Sequence, residues 1–415
     1  MAAVSEPSWQ ELQGSKNWEG LLEPLHPQLR TLIIRCGDFC QATYDTFIND
    51  QNSKYCGCSR YGKKSFFEKV AMFPTGVQPD YAVHSFLYAT AKVDVPDSFI
   101  VKSMSREAWS RESNWIGYVA VSTDSAAQAQ GRRDVLVAWR GTTRNLEWID
   151  VFNPTQESIS GLLHTQEKPG HFYDVLLGKS SPKVMDGWVT IYTSDDSKSP
   201  FTKTSARVQL FTFIQEIVEK YQDEELSITL VGHSLGASLA ILSGFDIVEN
   251  GLTRREGRDP IPVAAFVFGS PMVGNKEFCE RFEKLPNLKV LHVRNEIDLI
   301  PHYPGKALGY QWTGVELMID TRKSPYLKDS KNPSDWHNLQ TMLHVVAGWQ
   351  GKNQEFKLQL KRSIALVNKS CEFLKDECLV PGSWWVEKNK GMVQDESGEW
   401  VMTPLADDDV PTPEY

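Results

Sequence analysis

Leu226-Ser-Ile-Thr-Leu-Val-Gly-His-Ser-Leu-Gly236 runs from an apolar stretch into a serine flanked by glycines, and a second apolar stretch, Leu235 to Val248, follows at once. Strand, G-x-S-x-G, helix is the order of a nucleophile elbow, in which a sharp turn pushes the serine hydroxyl out of the sheet. The flanking glycines are needed because a side chain there would meet neighbouring backbone. The helix that follows points its free amides and partial positive charge at the place where an oxyanion would form. Upstream, Leu210, Ile214, Ile217, Val218 and Tyr221 recur at helical spacing within Ser205 to Tyr221, and the polar turn Gln222 to Glu225 separates that helix from the strand.

Working outward, Trp115 to Ser122 and Asp134 to Arg140 read as strands joined by a hairpin-like connection over Thr123 to Arg133. Val263 to Phe268 and Leu288 to Arg294 add two more, with Gly251 to Pro260 as a surface loop. Strands alternating with helices predict an α/β fold, a mostly parallel central sheet with helices on both faces. Residues 1–60 read as a helical lead-in packed on the core, 61–350 as the α/β-hydrolase domain, and 351–415 as a C-terminal extension. The acidic, proline-containing tail Ala406 to Tyr415 is expected to be disordered. Within the central domain, 143–186 is a candidate lid. Leu146, Trp148, Ile149, Val151, Phe152, Ile159, Leu162 and Leu163 either cover a groove beside the serine or complete the core, and both readings stay open.

A chain of 415 residues can bury one large core. Its 44 Lys and Arg against 53 Asp and Glu give a net charge of −9, which argues against nucleic acid as a partner because phosphates need a basic stripe. The first residues show no secretory signal, no stretch has the length of a transmembrane helix, and seven cysteines without disulfide-type spacing suit a reducing, cytoplasmic setting. Cys36, Cys40, Cys56 and Cys58 match no common zinc spacing, so neither metal nor cofactor is expected. The oligomeric state is left open.

A serine hydroxyl is a poor nucleophile at neutral pH, so Ser234 calls for a histidine base and a carboxylate to orient it, in the chain order Ser, Asp or Glu, His. Asp298 lies just past the strand Leu288 to Arg294 and is favoured over Glu296 because backbone amides readily fix an aspartate before an apolar-proline exit. Of the histidines downstream, His302 is too near Asp298 and His344 falls inside a helix, which favours His337 at a helix start. The oxyanion donors are the amide of Leu235 and, after the strand Val135 to Trp139, the amide and hydroxyl of Thr142.

Taken together, Trp139-Arg-Gly-Thr142, Gly232 to Gly236, Phe268-Gly-Ser-Pro271 with Val273-Gly274, and Asp298-Leu-Ile-Pro301 resemble the class 3, fungal-type lipases. Trp18-Glu-Gly-Leu-Leu22, Thr142 to Trp148, His337-Asn-Leu339 and Leu379 to Trp385 resemble the plant phospholipase A1 class II branch, so the likeness spans Trp9 to Val401. It implies a metal-free acylhydrolase cleaving the sn-1 ester of glycerolipids at a lipid surface. Ser234, Asp298 and His337 would be the triad, with Thr142 and Leu235 as the oxyanion hole. A broader lipid esterase acting on galactolipid or triacylglycerol, and a non-catalytic lipase-like regulator, are the other expectations. Trp139 departs from the phenylalanine usual in fungal members.

Overall fold

The computed structural model describes residues 6–70, 79–91, 99–104, 113–142, 154–163, 181–385, 392–397 and 399–402. Seven strands form the central sheet: β1 (Tyr81–Ala89), β2 (Asn114–Ser122), β3 (Arg133–Trp139), β4 (Leu226–His233), β5 (Val263–Phe268), β6 (Leu288–Asn295) and β7 (Val315–Ile319). They lie side by side in sequence order. β1, β2 and β3 pair antiparallel, and every later pairing is parallel. The sheet is therefore mostly parallel from β3 onward, as the alternation of strands and helices requires.

Alternate residues of each strand serve opposite faces. Val135, Val137 and Trp139 of β3 join Ile228 and Leu230 of β4 in one core, covered by helices α2 (Ala206–Lys220) and α3 (Leu235–Glu249). Leu136 and Ala138 join Val231, Phe266 and Val293 in the other, covered by α1 (Pro27–Asp45) and α4 (Leu339–Gly348). α3 has no polar face because Leu235 to Val248 are all buried. α1 starts at His26, whose side chain accepts from the Gln28 amide, with Pro27 at the first helical position. Its buried Arg30 donates to the Val346 carbonyl and ties α1 to α4.

β2 and β3 pair antiparallel, as the hairpin-like connection implies, but the connection carries a helix of its own. A helix spans Asp124–Gln130, capped by the Thr123 hydroxyl on the Ala126 amide and ended by Gly131 at φ +67°. Ile159 and Leu162 are buried in the core, and Gln156–Ser158 pairs antiparallel with Lys183–Met185, so this part of the candidate lid is structural filling. Residues 143–153 and 164–180, and the tail 406–415, lie outside the described residues. No helix among the described residues is long and apolar enough to cross a membrane.

Candidate active site

Register sets the site. Trp139 at the end of β3 pairs with Gly232, and His233 at the end of β4 pairs with Phe268, so the segments leaving three neighbouring strands emerge together at the carboxyl edge. Ser234 sits between β4 and α3 with φ +58° and ψ −126°. Such a backbone costs roughly 1–3 kcal/mol for a non-glycine residue and persists because the surroundings impose it. A Cβ on Gly232 would lie 2.1 Å from the Gly236 carbonyl oxygen, and one on Gly236 would lie 2.3 Å from that of Trp139. Both elbow glycines are thus required by close backbone approach, and Leu235 opens α3 with no side chain capping the helix start.

Asp298 and His337, 39 residues apart, meet at 2.7 Å between Oδ2 and Nδ1. Both are almost fully buried. The other carboxylate oxygen of Asp298 accepts from the Ile300 amide at 3.0 Å, the backbone fixing expected of an aspartate before Leu-Ile-Pro. Because Asp298 accepts from Nδ1, a neutral His337 carries its lone pair on Nε2. That nitrogen and the Ser234 hydroxyl are both buried, without a hydrogen-bond partner among the described residues. Gly269, at φ +54°, floors the pair: a Cβ there would lie 2.8 Å from His337 Cε1 and 3.1 Å from Asp298 Oδ2. At the end of β6, Asn295 donates to the Trp336 carbonyl at 2.9 Å and so holds the loop that carries His337.

A cavity of about 330 Å³ is lined by Ser234, His337, the half-buried Thr142, Tyr44, Asp45 and Lys369. Thr142, Ser234 and His337 are thus brought to one cavity, with Leu235 next to Ser234 in the chain and Asp298 bonded to His337. The alternatives lie elsewhere. Glu296 pairs with Arg322, His302 packs edge-on against Trp312, and His344 shares a hydrogen bond with Ser324 at 2.8 Å. Cys36, Cys40, Cys56 and Cys58 are buried thiols that form no disulfide.

Three supports had not been read from the sequence. His233 Nε2 lies 2.8 Å from the His337 carbonyl, which can only accept, so Nε2 donates and Nδ1 is left to accept from the Tyr44 hydroxyl, also at 2.8 Å. Burial, with His337 beside it, pushes His233 well below the ordinary imidazole range, consistent with this neutral tautomer. Arg140 is fully buried, donating to the carbonyls of Trp115, Phe99 and Gly141, and burial lowers it to about 9. It fixes the chain just ahead of Thr142. The Lys369 ammonium pairs with Asp45 at 2.5 Å across the cavity wall. His233, inside the G-x-S-x-G pentapeptide, and Arg140, inside Trp139-Arg-Gly-Thr142, carried a signal. Tyr44, Asp45 and Lys369 sit in ordinary sequence far from both.

A serine on an elbow facing a carboxylate-bound histidine is the equipment of a serine acyl-transfer enzyme on an α/β-hydrolase sheet. Residues 136–308 match the class 3 lipase family. The chain is 56% identical over 417 residues to phospholipase A1-IIdelta of Arabidopsis thaliana, covering 99% of both chains. It is 51% identical over 413 residues to phospholipase A1-II 5 of Oryza sativa subsp. indica, covering 100% of this chain and 86% of that protein. Among solved structures, the nonglycosylated lipase of Yarrowia lipolytica aligns at a TM-score of 0.45 with 17% identity, covering 72% of this chain and 82% of that one. The chain belongs to the class 3 lipases, in their phospholipase A1-II group.

Proposed function

We propose that this chain is a phospholipase A1, a serine acylhydrolase that removes the sn-1 acyl chain of glycerophospholipids at a lipid surface. The observation that carries the reading is the 2.7 Å Asp298–His337 bond, with the unpartnered His337 Nε2 and Ser234 hydroxyl at one cavity. The full-length relatives named phospholipase A1-II support the choice of phospholipid over other esters.

His337 Nε2 takes the Ser234 proton as the oxygen attacks the ester carbonyl, while Asp298 stays ionised and stabilises the imidazolium. The tetrahedral oxyanion is held by the amides of Leu235 and Thr142, each worth roughly 3 kcal/mol to the transition state. The imidazolium then protonates the leaving glycerol oxygen. Water, deprotonated by the same histidine, resolves the acyl-enzyme. No step calls for a metal or cofactor, and cytoplasmic location belongs to the same proposal, supported by seven cysteines that form no disulfide.

Vesicles of a phospholipid labelled differently at sn-1 and sn-2 test it. Wild type is expected to release the sn-1 label, and Ser234→Ala to lose roughly five to six orders of magnitude in kcat. Equal release from both positions would make the enzyme a broad lipid acylhydrolase, and Ser234-independent release would overturn the assignment.

A further inference from the structure

Resting on the acylhydrolase reading, the position of the head group follows from where the proton goes. His337 protonates the leaving alcohol, so the glycerol, and everything attached to it, lies on the histidine side of Ser234. On that side Asn338, next to His337, donates to the hydroxyl of Ser370, next to Lys369, in a cavity lined by both polar and apolar side chains. Among the described residues, Lys369 is the cation that lines it. The side chain of Lys369 is only 9% exposed, with its ammonium 4.3 Å from the centre of the Trp385 ring.

Asp45 holds this lysine without exhausting it. One carboxylate oxygen takes Lys369, and the other accepts from Gln41 at 2.9 Å. An ammonium has three donors, and among the described residues Asp45 is its one hydrogen-bond acceptor. A buried ion pair adds little net stability over an apolar pair of the same size. Its presence in the wall of the nucleophile's cavity therefore points to a ligand.

We propose that Lys369 is the head-group subsite of this enzyme, its ammonium binding the phosphodiester of the glycerophospholipid while the sn-1 ester lies on Ser234. Trp385 and Asp45 keep the ammonium in place before substrate arrives, which limits the ordering cost of binding.

The test compares dioctanoyl phosphatidylcholine with p-nitrophenyl octanoate, which delivers the same acyl group to Ser234 without a head group. For Lys369→Met, the ratio of kcat/KM for the phospholipid to that for the plain ester is expected to fall at least fivefold, through KM, with Lys369→Arg restoring most of it. A smaller fall, including parallel loss of both activities in a folded protein, overturns the proposal. If Lys369→Met does not fold, wild type is assayed on p-nitrophenyl octanoate with glycerophosphocholine or galactosylglycerol added. Competitive inhibition by the phosphodiester alone supports the subsite, and equal or absent inhibition overturns it. Plain-ester hydrolysis that does not depend on Ser234 would instead fail the acylhydrolase reading itself.

Discussion

The two walls of the cavity are built differently. Ser234, Thr142 and Asp298 leave the ends of β4, β3 and β6, strands belonging to one run of paired neighbours in a single sheet, and Asn295 pins the His337 loop to the same edge. The second wall joins Asp45, at the end of α1, to Lys369, 324 residues further along the chain. Sheet register positions the first wall residue by residue. A few side-chain contacts position the second, so the two walls should respond differently to substitution: the first in turnover, the second in stability and substrate preference.

The sharpest way to break that contrast is Asp298→Asn. Loss of roughly four orders of magnitude in kcat is expected, because the amide favours the wrong His337 tautomer while the fold stays intact. Glu296→Gln, which touches only the Arg322 and Lys352 side chains, should leave kcat within twofold. Steady-state kinetics on the plain ester and thermal melts decide it: a large drop in melting temperature for Asp298→Asn would mean that the catalytic wall is a stability element too.

The second wall is tested through its ion pair. Asp45→Asn leaves the Lys369 ammonium buried without its carboxylate and is expected to cost about 3–5 kcal/mol, read by urea unfolding. The double change Asp45→Asn with Lys369→Met should recover part of the loss, because no unpaired charge remains. Strict additivity of the two single changes would mean that the pair does not hold α1 to the C-terminal segment.

A smaller effect comes from the buried histidines. Burial holds His292 at about 3, His344 at about 4, and His233 well below the usual range, whereas the unfolded chain titrates near the ordinary imidazole value of 6.5. The native state therefore binds fewer protons below that pH, so stability is complete above about 6.5 and declines as the pH falls toward 4. Each such histidine contributes a slope of up to about 1.4 kcal/mol per pH unit. His344→Gln should remove nearly one proton from the slope between pH 6 and 4.5, and an unchanged slope would mean that His344 is already protonated in the folded protein.

The same contrast governs what the sequence discloses. The strands of the parallel run and the elbow follow from period and glycine placement, because local pattern and global fold agree there. The helix Asp124–Gln130 was missed although Thr123 and Gly131 are good caps, since Asp-Ser-Ala-Ala-Gln-Ala-Gln has no apolar stripe to mark a face. The Asp45–Lys369 pair depends on tertiary closure, and nothing within a few residues of either signals the other. Even the lid question divides this way: Ile159 and Leu162 looked equally suited to lid or core because burial, not composition, distinguishes the two.

Tyr44 offers the finest test because it belongs to the second wall yet acts on the first. Its hydroxyl satisfies His233 Nδ1, which keeps the Nε2 proton aimed at the His337 carbonyl. Tyr44→Phe leaves that nitrogen buried and unpaired, a loss of about 1 kcal/mol, and frees the ring to change tautomer, which would turn a lone pair toward the carbonyl. The base would then sit less firmly. A fall in kcat of roughly tenfold is expected, with KM unchanged, since about 1.4 kcal/mol of transition-state stabilisation would be lost. If Tyr44→Phe lowers the melting temperature but leaves kcat alone, Asp298 and Asn295 suffice to place His337, and α1 contributes to the site only through Asp45.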